Sequence, residues 1–219
     1  MLLMMLEKGM QVDECVMFDT GWEFPQMYDH LEKLRGMVDV PITTLKPRKP
    51  FEYFFSEHVL TRGKHKGQRG YGFARPMARW CTREKVNAIE KYLRQYQEKV
   101  QYVGIAADEK RPLDPAIKYP LVEWGVTERE CLDYCKRRGF DWGGLYDHFD
   151  RVSCWCCPLQ PLDELRELRH SFPELWDELK AMQDRSTNTF KIKHSVYDLD
   201  RRFALEDCQM RIDWDEVNR

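Results

Sequence analysis

The chain has 219 residues, of which 42% are hydrophobic and 33% charged, with a formal net charge of −2. That length suits one α/β domain with a sizeable core and a short extension, and the composition is that of a soluble globular protein. The near-neutral balance excludes a global basic field for nucleic acid, and no apolar run approaches the roughly 18 residues of a membrane-spanning helix, so a cytoplasmic protein without a membrane partner is expected.

Met1-Leu2-Leu3-Met4-Met5-Leu6 is apolar but short, without a basic flank or a small-residue cleavage site, and reads as a helix closed by Gly9 rather than a secretion signal. Asp13 to Phe18 reads as a short buried strand that ends in the polar turn Asp19-Thr20-Gly21. In open α/β sheets ligands sit at such strand ends. A helix is expected from Pro25 to Leu34, a second strand from Val40 to Leu45, and a helical segment over 50–60. Residues 61–76 hold four glycines together with Arg62, Lys64, Lys66, Arg69 and Arg75, and read as a mobile basic loop. A helix over 83–98 leads to a strand over 100–105, which ends in Ala106-Ala107-Asp108-Glu109. Thr127-Glu128-Arg129-Glu130 is a capping box that opens a helix to about Arg138, closed by Gly139. A cysteine-rich loop follows at 153–158, then a helix over 161–183 that Pro173 is expected to break. Strands alternating with helices predict an α/β fold with a mostly parallel sheet covered on both faces. Residues 1–183 are assigned to one domain and 184–219 to a charged C-terminal extension packed against it.

The cysteines are Cys15, Cys81, Cys131, Cys135, Cys154, Cys156, Cys157 and Cys208. In a reducing compartment clustered thiols more often bind metal or do redox chemistry than form disulfides. Cys154-Trp155-Cys156-Cys157-Pro158 places three thiols within four residues, and Cys81, beside the basic stretch, could supply a fourth soft ligand for zinc or an iron–sulfur cluster. A dithiol redox pair and three semi-buried cysteines acting as small hydrophobes are the other readings of this run. Cys131 and Cys135 lie four apart on a helix and are read as core positions. Cations from Arg62 to Arg83 suit an anionic group, since arginine forks grip phosphate or sulfate oxygens; a solvated charged loop is the competing reading.

The order Phe18-Asp19-Thr20-Gly21 with Glu23-Phe24-Pro25, then Arg79-Trp80-Cys81-Thr82-Arg83, Gly104-Ile105-Ala106-Ala107-Asp108-Glu109, Tyr119-Pro120-Leu121 and Cys154-Trp155-Cys156-Cys157-Pro158 resembles the phosphoadenosine phosphosulfate reductase family over roughly residues 1–183. It looks closest to four-cysteine members from bacteria and phages. The resemblance implies an adenine nucleotide α-hydrolase-like fold of the ATP-pyrophosphatase superfamily that binds ATP or a sulfated adenosine phosphate. It implies either sulfonucleotide reduction or ATP-dependent sulfur transfer. By the same resemblance Asp19, Thr20, Gly21, Arg79, Arg83, Lys85 and Asp108 would bind the nucleotide. Cys81, Cys154, Cys156 and Cys157 would hold a 4Fe–4S cluster or zinc, and Cys156 or Cys157 would be the reactive thiolate, its pKa lowered by neighbouring arginines. The family's S-G-G-K-D-S phosphate loop and the strand before it are not found, so a chain truncated ahead of Met1, and inactive as written, is one expectation. The E-C-G-L-H tail of thioredoxin-dependent members is also not found.

The expected partners are therefore an adenine nucleotide or sulfonucleotide, a nucleic-acid or protein sulfur acceptor, and a second copy of the chain in a homodimer. The competing function is a zinc-stabilised, non-enzymatic module that contacts nucleic acid through residues 61–83.

Overall fold

The structure, a computed structural model, describes the backbone of residues 1–217 and the side chains of residues 1–209. Among these residues the helices are α1 (Leu2–Glu7), α2 (Pro25–Arg35), α3 (Trp80–Leu93), α4 (Pro120–Glu123), α5 (Glu128–Lys136), α6 (Leu145–His148), α7 (Leu162–Ser171), α8 (Pro173–Arg185) and α9 (Val196–Val217), and the strands are β1 (Cys15–Phe18) and β2 (Ile42–Leu45). The chain sorts into two compact units. One holds Met1–Phe18, Pro25–Leu45 and Asn87–Leu145; the other holds Asp19–Phe24, Lys46–Val86 and Tyr146–Arg219, of which residues 218–219 lie outside the described residues.

The first unit carries the sheet. β1 and β2 pair in parallel, from Cys15 opposite Ile42 to Phe18 opposite Leu45, with α2 as their crossover. The fold is thus α/β, with a small parallel sheet among many helices, consistent with a Rossmann-like nucleotide-binding fold. β1 is half-buried over its first three residues and buried only at Phe18. Local signals act here as their chemistry dictates. α1 stops at Gly9, α5 opens on a capping box between Thr127 and Glu130, and Gly139 follows its end. The strand expected over 100–105 does not form. Only Tyr102 bridges Lys118, through Val103 N–H to Lys118 O at 3.0 Å and Lys118 N–H to Gln101 O at 2.9 Å. The partner segment is bounded by Pro115 and Pro120, neither of which has an N–H to extend the ladder.

The second unit is helical and aromatic. The helix expected over 50–60 is a short turn, π-helical over Tyr53–Glu57, that buries Phe51 and Phe55. Residues 58–70 close into a hairpin rather than an open loop: Val59 bridges Arg69, Leu60 N–H donates to Gln68 O at 2.9 Å, and Gly70 N–H to His58 O at 2.8 Å. α3 begins at Trp80, earlier than expected, because the buried indole donates to Gly72 O at 2.9 Å. The helix ends at Leu93, since Arg94 to Lys99 are exposed and offer no apolar stripe to bury.

Pro173 does divide the predicted helix 161–183. Phe172 takes an extended conformation (φ −133°, ψ 60°) because a residue before proline is pushed out of the helical region. Four residues within 184–209 enter the core of this unit. Phe190, Val196, Leu199 and Phe203 are fully buried, and the last three follow helical spacing along α9. The charges of α9 meet α7 and α8: Arg169 contacts Asp200 at 2.7 Å and Asp207 at 3.0 Å, and Trp176 Nε1 donates to Asp200 at 2.9 Å.

Candidate functional site

At the end of β1 the chain enters the second unit through a turn built from its own side chains. Asp19 and Thr20 are buried, 9% and 5% exposed. Asp19 Oδ1 accepts from Gly21 N–H at 2.8 Å, and Thr20 Oγ1 accepts from Trp22 N–H at 3.0 Å while donating to Glu23 Oε1 at 3.0 Å. Gly21 sits at φ +78°, a left-handed conformation that disfavours any side chain even though a Cβ there would meet nothing within 4 Å. Lys46 Nζ lies 3.7 Å from Asp19 Oδ2. The parallel register explains this pair, because Asp19 follows Phe18 just as Lys46 follows Leu45.

The cysteine loop docks on this turn. Cys154 Sγ lies 3.7 Å from Thr20 Oγ1 and donates to Glu23 Oε1 at 3.7 Å, and Trp155 N–H donates to Trp22 O at 3.2 Å. Trp22 in turn packs edge-on against Phe51, Phe55 and Trp80, with ring centroids 5.5 to 6.0 Å apart. The loop is held by successive turns, Cys157 N–H to Cys154 O at 3.0 Å and Gln160 N–H to Cys157 O at 3.3 Å. The Gln160 amide donates to Cys154 O at 2.9 Å and to Ser153 Oγ at 3.2 Å.

All four expected cysteines belong to this unit and are free thiols. Cys81 lies in the first turn of α3, and its charge acts on both Cys156 and Cys157. Burial pushes the Cys154 thiol up to about 12, with Glu23 adding to the shift and Thr20 and Lys85 opposing it. Burial likewise drives Cys156 well above the ordinary thiol range, helped by Cys154, Cys157 and Cys81. Burial also raises Cys157, against the pull of Lys191 and Arg79. The expectation of a thiolate made acidic by arginines is therefore reversed: in these thiols desolvation outweighs the nearby cations. Among the described residues no three His, Cys, Asp or Glu side chains converge as a single metal ion requires.

The expected cations divide. Arg79 is exposed and acts on Cys157, and Lys85 is half-buried and acts on Cys154. Arg83 lies over the Tyr71 ring, 5.9 Å from its centroid, and Tyr71 stacks on Trp80. Arg62, Lys64, Lys66 and Arg69 are exposed on the hairpin. Arg75 turns inward and donates to Thr189 O at 2.7 Å and Phe190 O at 3.2 Å, so it serves the structure rather than an anion. Asp108 belongs to the first unit, where its carboxylate accepts from Glu128 N–H at 2.9 Å and caps α5. Cys131 and Cys135 are half-buried on α5, and Cys208 is exposed.

Four residues of this arrangement escape sequence reasoning as site residues. Glu23 stands inside the quoted motif but had no assigned role, and Lys46 could have been found from strand register. Gln160 and Lys191 carry no local signal, because their roles come from contacts with distant segments.

The family model of the phosphoadenosine phosphosulfate reductase domain matches residues 1–160. Two uncharacterized proteins of Methanocaldococcus jannaschii are similar. MJ0066 is 24% identical over 194 residues, which are 81% of this chain and 37% of that protein; MJ0973 is 24% identical over 177 residues, 75% and 40% respectively. The chain thus spans about two-fifths of the length of these curated relatives. No solved structure matches.

Proposed function

The chain belongs to the phosphoadenosine phosphosulfate reductase domain family, and from that premise we propose that it binds an adenine sulfonucleotide or ATP and carries out sulfur chemistry at the 154–157 loop. The observation that carries this reading is the contact of Thr20 and Glu23 with Cys154. It joins the turn that would face the nucleotide to the thiols that would handle sulfur. Asp19, Thr20 and Gly21 form the nucleotide side, and Arg79, Arg83 and Lys85 face phosphate or sulfate oxygens. Residues 1–183 act as the reductase-like domain and 184–219 as its C-terminal extension.

Two reactions are consistent with this site. In sulfonucleotide reduction the bond between sulfur and the phosphate oxygen breaks, an external dithiol supplies two electrons, and sulfite leaves with the adenosine phosphate as the other product. In ATP-dependent sulfur transfer the acceptor is adenylated with release of pyrophosphate, and a sulfur nucleophile then displaces AMP.

The donor set fits a soft metal group. By the resemblance, Cys81, Cys154, Cys156 and Cys157, four free thiols of one unit, would hold a 4Fe–4S cluster or zinc. A zinc tetrahedron requires sulfurs about 2.3 Å from one point, and among the described residues no three His, Cys, Asp or Glu side chains converge in that way. Once bound, a group held by Cys81, Cys154, Cys156 and Cys157 would supply redox or electrostatic chemistry beside the turn at Thr20 and Glu23. The protein's part is to exclude water with Trp22, Trp80 and Trp155 and to fix Cys154 through Glu23 and Gln160.

A second reading is a zinc-stabilised module that contacts nucleic acid, supported by the exposed Arg62, Lys64, Lys66 and Arg69 of the hairpin. Anaerobic purification separates the two. Brown protein with iron, labile sulfide and measurable adenine-nucleotide binding supports the enzyme. Colourless protein with stoichiometric zinc and salt-sensitive nucleic-acid binding supports the module. Metal-free protein that binds no nucleotide rejects both.

A further inference from the structure

A cleft in the first unit shares no residue with the sites described above. It lies between α2 and the turn that runs from Phe140 to Gly143, and its volume is about 190 Å³. Pockets for drug-sized ligands run to about 300–1,000 Å³, so this one admits a group the size of a single side chain rather than a nucleotide. Its wall is a stack of rings. Trp142 and His30 lie face to face, 4.7 Å between centroids and 21° between planes, and Phe140 stands edge-on to His30 at 5.0 Å. Trp142 is held at φ +52°, a left-handed conformation that an aromatic residue keeps only when its surroundings fix it. Gly143 follows at φ +59°, and a Cβ there would meet Gln26 Cγ at 2.7 Å, so the turn closes on α2 through a residue without a side chain.

The polar groups of the cleft are mainly acceptors. Gln26 Oε1 is buried and has no hydrogen-bond partner among the described residues. Buried polar atoms are rarely left so, and a ligand that donates to this oxygen would satisfy it. The exposed Asp29 and Asp141 also line the cleft, and Asp141 Oδ1 fixes the turn by accepting from Gly143 N–H at 3.2 Å. Against these two carboxylates stands Lys33, whose ammonium is engaged by the Gly139 carbonyl and lies 5.4 Å from the Phe140 ring centroid. Burial, with Lys33 adding and Asp141 opposing, lowers the His30 pKa, so the imidazole carries no positive charge at neutral pH.

We propose that this cleft binds a planar guanidinium group, that of free arginine or of an arginine side chain on a partner polypeptide. A guanidinium carries five N–H donors in one plane, so it can stack on the indole while its edge serves the carboxylates and Gln26 Oε1. A lysine ammonium offers neither the plane nor the fork. The inference does not rest on the sulfur chemistry, because these residues belong to the first unit and the four cysteines to the second.

The test is an NMR titration of the full chain at low salt with L-arginine, L-lysine and the blocked peptide acetyl-Gly-Arg-Gly-amide. It is read at the Trp142 indole N–H, whose resonance is identified by its loss in Trp142→Phe. Arginine shifts that resonance saturably and binds at least about tenfold more tightly than lysine, the scale of one charge-assisted hydrogen bond. Asp29→Asn, at an exposed position, weakens arginine binding about tenfold. Gln26→Leu weakens it about fivefold, yet leaves the urea midpoint at or above that of wild type, because it removes an unsatisfied buried oxygen. Peptide binding as tight as that of free arginine assigns the group to a partner polypeptide, and binding of free arginine alone assigns it to the amino acid. No saturable shift with either, equal affinity for arginine and lysine, or unchanged affinity in Asp29→Asn or Gln26→Leu overturns the inference.

Discussion

Cys154 donates its S–H to Glu23 Oε1 at 3.7 Å, although 131 positions separate the two residues in the chain. That one contact brings the turn after β1 to the thiol-bearing loop, and it sets a carboxylate against a sulfur that is already buried. The negative charge of Glu23 reinforces the upward shift of the Cys154 thiol.

Cys154→Ser should lower iron and labile sulfide in anaerobically purified protein by at least about tenfold, the scale by which even outer-shell changes alter metal affinity. Cys208→Ser, at an exposed position away from the loop, should leave both unchanged. Elemental analysis of the two proteins checks this, and equal iron in both would remove Cys154 from the ligand set.

Thr20→Val should destabilise the protein by about 2 kcal/mol, because the Trp22 N–H loses its acceptor and Glu23 loses a donor within a buried turn. Thr20→Ser keeps the hydroxyl and should recover most of that loss. Urea unfolding midpoints measure both, and a Val variant as stable as wild type would show the turn to be held by other contacts.

Phe203→Ala should cost about 3–5 kcal/mol, the usual range for emptying a buried aromatic site. The ring is fully buried, with its centroid 6.0 Å from that of Trp176 and the Arg166 guanidinium 5.2 Å above it. The loss should appear in the same cooperative transition as the rest of the second unit. An early, separate melting of α9 with the remaining signal intact would instead mark residues 196–217 as an independent appendage.

Acid should loosen the same helix. Hydrogen bonds from the Ser195 hydroxyl and backbone N–H, then Arg201, hold the Asp198 carboxyl down at about 2. At Asp200 burial works upward but is outweighed by Arg169 and Trp176, then Lys180, so its carboxyl is also depressed. An unfolded aspartate titrates near about 3.9, so between that value and the folded one the unfolded chain binds more protons. Stability from these groups is then complete above about pH 4 and falls as pH drops toward about 2. Thermal midpoints across this range should decline less steeply in Asp198→Asn, and an identical slope would exclude Asp198 as a contributor.

The sequence by itself determined the features whose physical cause lies within a few residues. The Thr127–Glu130 capping box, the stop of α1 at Gly9, the start of α2 at Pro25 and the break at Pro173 are short-range backbone chemistry, and each stands where the residues place it. The two parallel strands and the ordered motifs of the family were legible for the same reason, as was the grouping of Cys154, Cys156 and Cys157. Only the tertiary structure decided what depends on distant partners. Residues 100–105 had the composition of a strand but found a neighbour interrupted by prolines. Arg75 had the look of a substrate ligand but met two carbonyls more than a hundred positions away. The direction of the thiol pKa shifts turned on burial, which no local pattern encodes, and Lys191 reaches the cysteine loop through a carbonyl contact to Gln160. Hydrogen-bonded caps close over three or four residues; desolvation and long-range pairing are properties of the packed chain.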